Sequence, residues 1–242
     1  SAASRLGQAP QRLVPGSKAG TWYATGRQLL RSEDDGKTWS VILPTDIAGD
    51  TVYDVHEIEI DGKPTLRAAW SKSGMVVHSA DGGKTWKPGK APPISDTAHV
   101  VSMATDPADP LHVILAATTA QLRNSANDTD GGIYETWVGG IKWADITDNV
   151  RKTKKDKDPK AKRRWNRGRF VAIDRTAGLL LYGTDGGGLH ARLLVGKEKA
   201  DRKDKDLNWY RVGPAEAPSM SWDTVAMHAV AGEDDSVETH YA

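Results

Sequence analysis

The sequence of 242 residues contains no cysteine, a single phenylalanine and no long apolar run. Without cysteine the chain has no disulfide, no thiolate nucleophile and no cysteine-based zinc site, so any chemistry must come from carboxylate, histidine, lysine, tyrosine or hydroxyl groups. A membrane helix needs roughly 18 or more consecutive apolar residues, so we expect no membrane span. The balance of 33 Lys+Arg against 32 Asp+Glu is that of an ordinary soluble surface.

The chain begins with SAASRLGQAP, which has no methionine and starts with small residues. A mature chain looks like this after signal-peptidase cleavage, which predicts a secreted or periplasmic protein. A boundary set by cloning would look the same, so both origins stay open at this point.

Two segments of the sequence repeat without gaps. SEDDGKTW occupies Ser32 to Trp39 and SADGGKTW occupies Ser79 to Trp86, 47 residues further on. A period of this length is typical of propellers and solenoids. The shared pattern S-x-D-x-G-x-T-W resembles the Asp-box, or BNR repeat, of sialidases, sortilin-like receptors, xyloglucanase-type glycosidases and photosystem II assembly factors. That resemblance implies a structural hairpin between the third and fourth strands of a propeller blade, away from any active face.

The residue types of the repeat predict a tight turn. The aspartates can accept backbone N–H groups, the glycines allow a positive φ, and the hydroxyls can close the loop. The tryptophans can cover the hairpin at the start of the next strand. The candidate structural residues are Ser32, Asp34, Gly36, Thr38, Trp39, Ser79, Asp81, Gly83, Thr85 and Trp86.

Around these two turns the sequence divides into units of four short strands. We expect an all-β protein, a β-propeller of four-stranded antiparallel blades that forms one domain over residues 1–242. Four complete units and two further strands predict about five blades, either closed into a ring by the N-terminal segment or forming part of a larger propeller. The third unit contains the hairpin ETWVGGIKW (Glu135 to Trp143), which is predicted to be a turn that has lost the Ser, the Asp and the Thr.

A basic insertion separates the third unit from the fourth. Residues 151–169 carry eleven Lys+Arg and two Asp, a net charge of +9. This loop predicts contact with a polyanion such as nucleic acid, an acidic polysaccharide or anionic lipid headgroups, and the alternative is a solvated loop. The candidate contacts are Lys154, Lys155, Arg163, Arg164, Trp165 and Arg167. A second charged loop, 196–206, is nearly neutral and is predicted to be a solvated hairpin tip.

Catalytic and metal-binding patterns are weak. The R-I-P signature of sialidases is absent. The paired acids of a glycosidase remain conceivable at Asp54, Asp174 and Asp223, which lie in predicted first strands that would line a propeller's channel. Channel-lining or strand-end carboxylates are the alternative interpretation. The pair Asp54 and His56, the calcium-like set Asp128, Asp130 and Glu135, and the glycine-rich run Thr184 to His190 lack the full spacing of a metal or phosphate site. We expect no cofactor.

Two functions therefore remain open from the sequence. The first is a non-catalytic extracytoplasmic propeller that binds a partner protein or a polymer, as a subunit or assembly factor of a larger complex. The second is a carbohydrate-active glycoside hydrolase, or a fragment of one, that uses carboxylates on the channel face.

Overall fold

A computed structural model describes residues 10–43, 50–94, 98–119, 131–147, 168–184, 188–196, 209–212, 227–231 and 237–241. Within these ranges the chain forms antiparallel strands and turns, and it contains no helix. Accordingly, no helix in the described part of the chain could cross a membrane. The prediction of an all-β protein is confirmed.

The strands form four four-stranded sheets and one two-stranded sheet, each following chain order. We call them the first to fifth blades. The first blade consists of β1 Arg12–Pro15, β2 Trp22–Thr25, β3 Leu29–Ser32 and β4 Ser40–Leu43, and the second of β5 Val52–Ile60, β6 Lys63–Trp70, β7 Val76–Ser79 and β8 Lys87–Pro88. The third blade consists of β9 Ala98–Thr105, β10 Val113–Thr119, β11 Gly132–Thr136 and β12 Ala144–Asp145, and the fourth of β13 Gly168–Asp174, β14 Leu179–Thr184, β15 Gly188–Leu193 and β16 Tyr210–Val212. The fifth contains β17 Met227–Ala231 and β18 Val237–Tyr241.

Local sequence explains where these strands begin and end. β5 and β10 are rich in β-branched residues, which fit a pleated and half-buried surface. Asp61 and Gly62 join β5 to β6 with φ values of 51° and 70°. Two successive positive φ values are typical of the tight two-residue hairpin, which explains why the Asp-Gly pair stands here.

The apolar core lies between neighbouring blades. Tyr23 and Leu29 of the first blade pack in one cluster with Val55 and Leu66 of the second. Similar clusters join the second blade to the third, and the third to the fourth. Because a sheet with two apolar faces must cover both, this packing stacks the blades face to face.

The first repeat forms a closed hydrogen-bonded turn. The Ser32 hydroxyl donates to Asp34 Oδ1 at 2.8 Å and accepts the Gly36 N–H at 2.8 Å. The Asp34 carboxylate also accepts the Thr38 N–H at 2.8 Å and the Thr38 hydroxyl at 2.6 Å. The hydrogen bonds from Thr38 and then Ser32 lower the pKa of Asp34 to about 2.

The second repeat has the same pattern of hydrogen bonds. Ser79 donates to Asp81 at 2.7 Å, and the Thr85 N–H and hydroxyl donate to that carboxylate at 2.9 and 2.6 Å. The hydrogen bonds from Thr85 hold the pKa of Asp81 well below its usual range. Gly83 has a φ of 90°, and a Cβ there would lie 2.9 Å from Ile42 Cβ of the first blade. A side chain at this position would therefore be strained and would also push the two blades apart.

The third blade keeps the turn with altered residues. Thr136 takes the serine position, and its hydroxyl accepts the N–H groups of Val138 and Gly140 at 3.3 and 3.2 Å. The serine itself is absent, as the sequence interpretation had it, but the threonine hydroxyl supplies the same acceptor. Val138 stands at the aspartate position of the repeat and Lys142 at its threonine position.

Tryptophans link successive blades through their indole groups. Trp86 Nε1 donates to the Ile42 carbonyl of the first blade at 2.6 Å, and Trp143 Nε1 donates to the Lys90 carbonyl at 2.8 Å. Trp209, just before β16, repeats this contact on the Ile146 carbonyl at 3.0 Å. Each ring thus joins its own blade to the chain of the blade before it.

The two aspartate-based turns predict an acid-sensitive fold. A folded-state pKa below the unfolded value of 3.8 contributes stability that is present above pH 3.8 and is lost as the pH falls through the folded pKa. The double variant Asp34→Asn, Asp81→Asn should therefore show a flatter fall of unfolding free energy between about pH 4 and pH 2, measured by denaturant titration. The neighbouring Asp35→Asn is the control, and equal slopes in the double variant and the wild type would contradict the prediction.

The indole contact between blades predicts a second effect on stability. Trp86→Phe removes the N–H and leaves the Ile42 carbonyl without that donor, which should lower the free energy of unfolding by about 1 kcal/mol. Trp39 donates to Gly36 in its own turn at 3.0 Å, so Trp39→Phe is a matched control that should cost less. Equal losses in the two variants would show that the contact between blades contributes nothing of its own.

Candidate functional site

A central cavity of about 320 Å³ lies among the first strands of four blades. β1, β5, β9 and β13 all contribute lining residues, among them Arg12, Asp54, His56, Ser102 and Phe170. This is the channel that the sequence predicted as the place for paired carboxylates.

Asp54 is buried in this channel, with 3% of its surface exposed. Its Oδ2 accepts a hydrogen bond from Arg12 Nη1 at 2.6 Å and the Met103 N–H at 3.4 Å. His56 lies on the same strand, with Nε2 3.8 Å from Asp54 Oδ2. Burial lowers the pKa of His56, and the negative charge of Asp54 only partly offsets this effect. The lowered pKa favours a neutral imidazole. Asp54 thus connects the first strands of three blades, which are β1, β5 and β9.

The other candidate acids lie elsewhere. Asp174 ends β13 and accepts the Ala177 N–H at 2.9 Å in the following turn, and it is not among the described residues that line the channel. Asp223 lies outside the described residues. A hydrolytic pair needs two carboxyl groups within about 5 to 9.5 Å of each other, and the described channel lining contributes only Asp54.

The candidate metal and phosphate residues are not gathered into a site. Asp128 and Asp130 lie outside the described residues, and Glu135 is buried in β11. The ranges that the structure describes contain no group of three His, Asp or Glu side chains able to hold a metal ion. In the glycine-rich run, the Thr184 hydroxyl donates to the Gly188 carbonyl at 3.1 Å.

A buried ionic cluster that sequence reasoning missed joins the third blade to the fourth. His112 Nδ1 lies 2.9 Å from Asp106 Oδ2, and its Nε2 lies 3.0 Å from Glu135 Oε1. Arg175 Nε donates to Asp106 Oδ1 at 2.7 Å, and the His112 ring stacks on Trp137 with centroids 3.6 Å apart. Burial raises the pKa of Asp106, but the hydrogen bonds from Arg175 and His112 outweigh it and lower that pKa. His112 is closed to solvent, so this cluster holds blades together and offers no reacting surface.

An open groove of about 630 Å³ lies between the second and third blades. The β5–β6 turn and the second repeat turn line one side, and the altered third turn lines the other. We call this site the inter-blade groove. Its lining residues include Asp61, Lys63, Arg67, His78, Asp81, Lys87, Leu111, Val138 and Ile141.

Basic side chains form a row on the second-blade side of the groove. His56, Arg67, His78 and Lys87 are paired in register across β5, β6, β7 and β8, so they share the face that packs toward the third blade. Burial, then the charges of Arg67 and Lys87, lower the pKa of His78. This shift favours a neutral His78, so the positive potential beside the groove comes from Arg67 and Lys87.

Arg67 is the buried member of this row, with 1% of its surface exposed. Its Nη1 donates to the Pro110 carbonyl at 2.5 Å and to the Thr105 hydroxyl at 3.4 Å. Among the described residues its Nε has no hydrogen-bond partner, and no carboxylate lies within 4.0 Å of the guanidinium. Burial lowers the pKa of Arg67 to about 10, and the more distant Asp109 opposes that shift.

Apolar side chains form the third-blade side of the groove. Leu111 is 43% exposed and Ile141 is 61% exposed. The Gly139 N–H donates to the Leu111 carbonyl at 2.8 Å, which fixes the altered turn beside Leu111. Sequence reasoning missed this wall, although the apolar residues at positions 138 and 141 of a degenerate turn were a signal for it.

The predicted polyanion contacts Lys154, Lys155, Arg163, Arg164, Trp165 and Arg167 all lie outside the described residues. Of the basic loop, only Gly168 and Arg169 are described, and they begin β13. Of the second charged loop, 196–206, only Gly196 is described.

Comparison with known proteins identifies the fold alone. No family model and no curated protein matches this chain. Similar solved structures include Chaetomium thermophilum Raptor, with a TM-score of 0.56 and 10% identity over 90% of this chain and 18% of that one. An ancestral GH74 enzyme has a TM-score of 0.53 and 14% identity over 86% of this chain and 24% of its own. The GH74 enzyme of Niastella koreensis has a TM-score of 0.51 and 15% identity over 90% and 31%.

This chain spans less than a third of the length of each of these proteins. At such low identity, the activities and partners of these proteins cannot be assigned to this chain. Together with the face-to-face four-stranded sheets around a central channel, it shows that the chain has the β-propeller fold.

Proposed function

We propose that this chain is a recognition propeller, which binds a partner protein through the inter-blade groove as a subunit or assembly factor of a larger complex. The observation that carries the proposal is the apolar wall of the groove, where Leu111 and Ile141 are exposed beside the altered third turn. Exposed apolar side chains that line a concave site are typical of interaction surfaces.

The channel supports binding over hydrolysis. Asp54 is held by Arg12 and by the Met103 N–H, so its carboxylate serves the packing of the first strands. Asp174 serves the turn that follows β13. The alternative, a glycoside hydrolase or a fragment of one, would need a second acid from outside the described residues.

We also propose that the turns at Ser32 to Trp39 and Ser79 to Trp86 are Asp-box turns with a structural role. Their support is the shared hydrogen-bond pattern, in which the aspartate accepts from the hydroxyls of both the serine and the threonine of its own turn. Because this pattern uses the carboxylates internally, the two turns serve to close their hairpins, and the second of them borders the groove.

One further proposal rests on the sequence. A polyanion contact through residues 151–169 is supported by their net charge of +9.

The groove predicts a partner whose capture depends on Ile141. Full-length tagged wild type and Ile141→Asp are used to capture proteins from extracts of the native source, and each captured protein is quantified by mass spectrometry. The charged side chain should lower recovery of the specific partner by at least about tenfold, because it replaces the apolar surface that the partner covers with a carboxylate that must be desolvated.

Val41→Asp is the matched control, since Val41 is also exposed but lies on the first blade. It should retain the partner. A partner that is recovered equally with wild type and Ile141→Asp would contradict the proposed role of the groove.

The basic loop predicts salt-sensitive retention on heparin. Log affinity should fall with log salt concentration by about 0.7 to 0.9 for each contact, because each neutralised anion releases counter-ions. Deleting residues 152–167 and joining the ends with a short Gly-Ser link should abolish retention while the melting temperature changes little. A deletion variant that is retained like the wild type would leave the loop as a solvated insertion.

A further inference from the structure

We infer that the inter-blade groove takes an extended peptide segment of the partner in which acidic side chains alternate with large apolar ones. This inference rests on the proposed function and names the chemistry of the partner. It follows from the difference between the two walls of the groove.

The second-blade wall carries more cationic charge than its own carboxylates can neutralise. Lys63, Arg67 and Lys87 line it together with His78. Arg67 has no described carboxylate within ion-pair distance, and its Nε lacks a described hydrogen-bond partner. Because Arg67 is almost closed to solvent, it attracts a carboxylate in the groove through its unpaired charge, while the exposed Lys63 and Lys87 can form charge-assisted hydrogen bonds with that carboxylate directly.

The acids near this wall are already engaged or peripheral. Asp81 lines the groove, but its carboxylate accepts from the Ser79 hydroxyl and from the N–H groups of Lys84 and Thr85. Asp61 lies in the exposed β5–β6 turn. Both carboxylates stay charged, so Lys63, Arg67 and Lys87 against Asp61 and Asp81 leave the wall a net charge of +1, which complements an acidic ligand.

The third-blade wall owes its apolar character to two replacements in the repeat turn. Val138 stands where the other turns have Asp34 and Asp81, and Ile141 stands where they have Lys37 and Lys84. Thr136 keeps the turn closed without the aspartate. The third turn thus presents an apolar surface to the groove at positions that are charged in the first two blades.

An extended peptide matches two unlike walls. Successive side chains of an extended strand point to opposite sides. Acidic residues can therefore face Arg67, His78 and Lys87 while the intervening apolar residues face Leu111 and Ile141. A purely acidic or a purely apolar segment would satisfy only one wall.

The test uses fluorescein-labelled, amidated hexapeptides and the full chain in fluorescence anisotropy at about 50 mM salt. The alternating Glu-Leu peptide should bind, and the Gln-Leu and Glu-Ser peptides should bind at least about tenfold more weakly. Its affinity should fall as the salt concentration rises. Equal binding of the Gln-Leu peptide, or no binding of the Glu-Leu peptide, would overturn the inference.

Matched variants locate the site. Lys87→Gln should weaken binding by about threefold, as expected for a partly exposed ion pair, and Ile141→Ser should weaken it by about tenfold or more. Lys37→Gln and Val41→Ser, on the first blade, should leave the affinity unchanged, and melting temperatures check that every variant is folded. Affinity that is unaffected by Lys87→Gln and Ile141→Ser would place the peptide elsewhere and overturn the inference.

The His78 ring gives a separate readout by NMR. Burial and the charges of Arg67 and Lys87 lower its pKa in the free chain, so a bound acidic peptide should raise its titration midpoint. An unchanged midpoint in a saturated complex would contradict contact with the basic row. If the peptides fail while the native partner still depends on Ile141, the proposed function stands and only the acidic-apolar chemistry is wrong.

Discussion

The burial of each sheet face against the next blade is the interaction on which the rest of this structure depends. Each of the three interfaces along the first four blades contains a cluster of buried apolar side chains, and each is crossed by an indole N–H that donates to a carbonyl of the preceding blade. A short four-stranded sheet alone buries too little apolar surface to be stable, so the blades must stack. This stacking creates both the channel and the inter-blade groove.

The repeat turns connect this architecture to recognition. Their geometry requires an acceptor for the backbone N–H groups, and a hydroxyl can supply it, as Thr136 does in the third blade. Because this hydroxyl is enough to hold the third turn, the positions that are aspartate and lysine in the first two turns can carry other residues there. Val138 and Ile141 use that freedom, and they turn a structural hairpin into one wall of a binding site.

Much of the fold could be predicted from the sequence because its signals are local. The spacing of the two repeats, the Asp61-Gly62 hairpin and the alternation in β5 each depend on neighbouring residues alone. The strand β5, Val52–Ile60, ends directly before the Asp-Gly pair of that hairpin. The two closed turns that begin at Ser32 and Ser79 could also be predicted, because all of their hydrogen-bonding residues lie within one eight-residue segment.

The site was harder to predict because it depends on register and on contacts between blades. Arg67, His78 and Lys87 are scattered in the sequence, and only the pairing of β6, β7 and β8 brings them into one row. The same holds for His112, which meets Glu135 from 23 residues away. Asp174 shares a first strand with channel-lining residues, yet it ends that strand and therefore serves the turn. The basic loop remains a prediction from charge alone.

Hydrogen–deuterium exchange of the full chain, alone and in complex with its native partner, tests most directly whether recognition takes place in the inter-blade groove. Exchange slows where binding suppresses local opening of the backbone. The account predicts protection concentrated in residues 61–67, 78–88 and 138–143, with the channel strand residues 12–15 and 52–56 unchanged. Protection confined to the channel strands, with the groove unchanged, would contradict it.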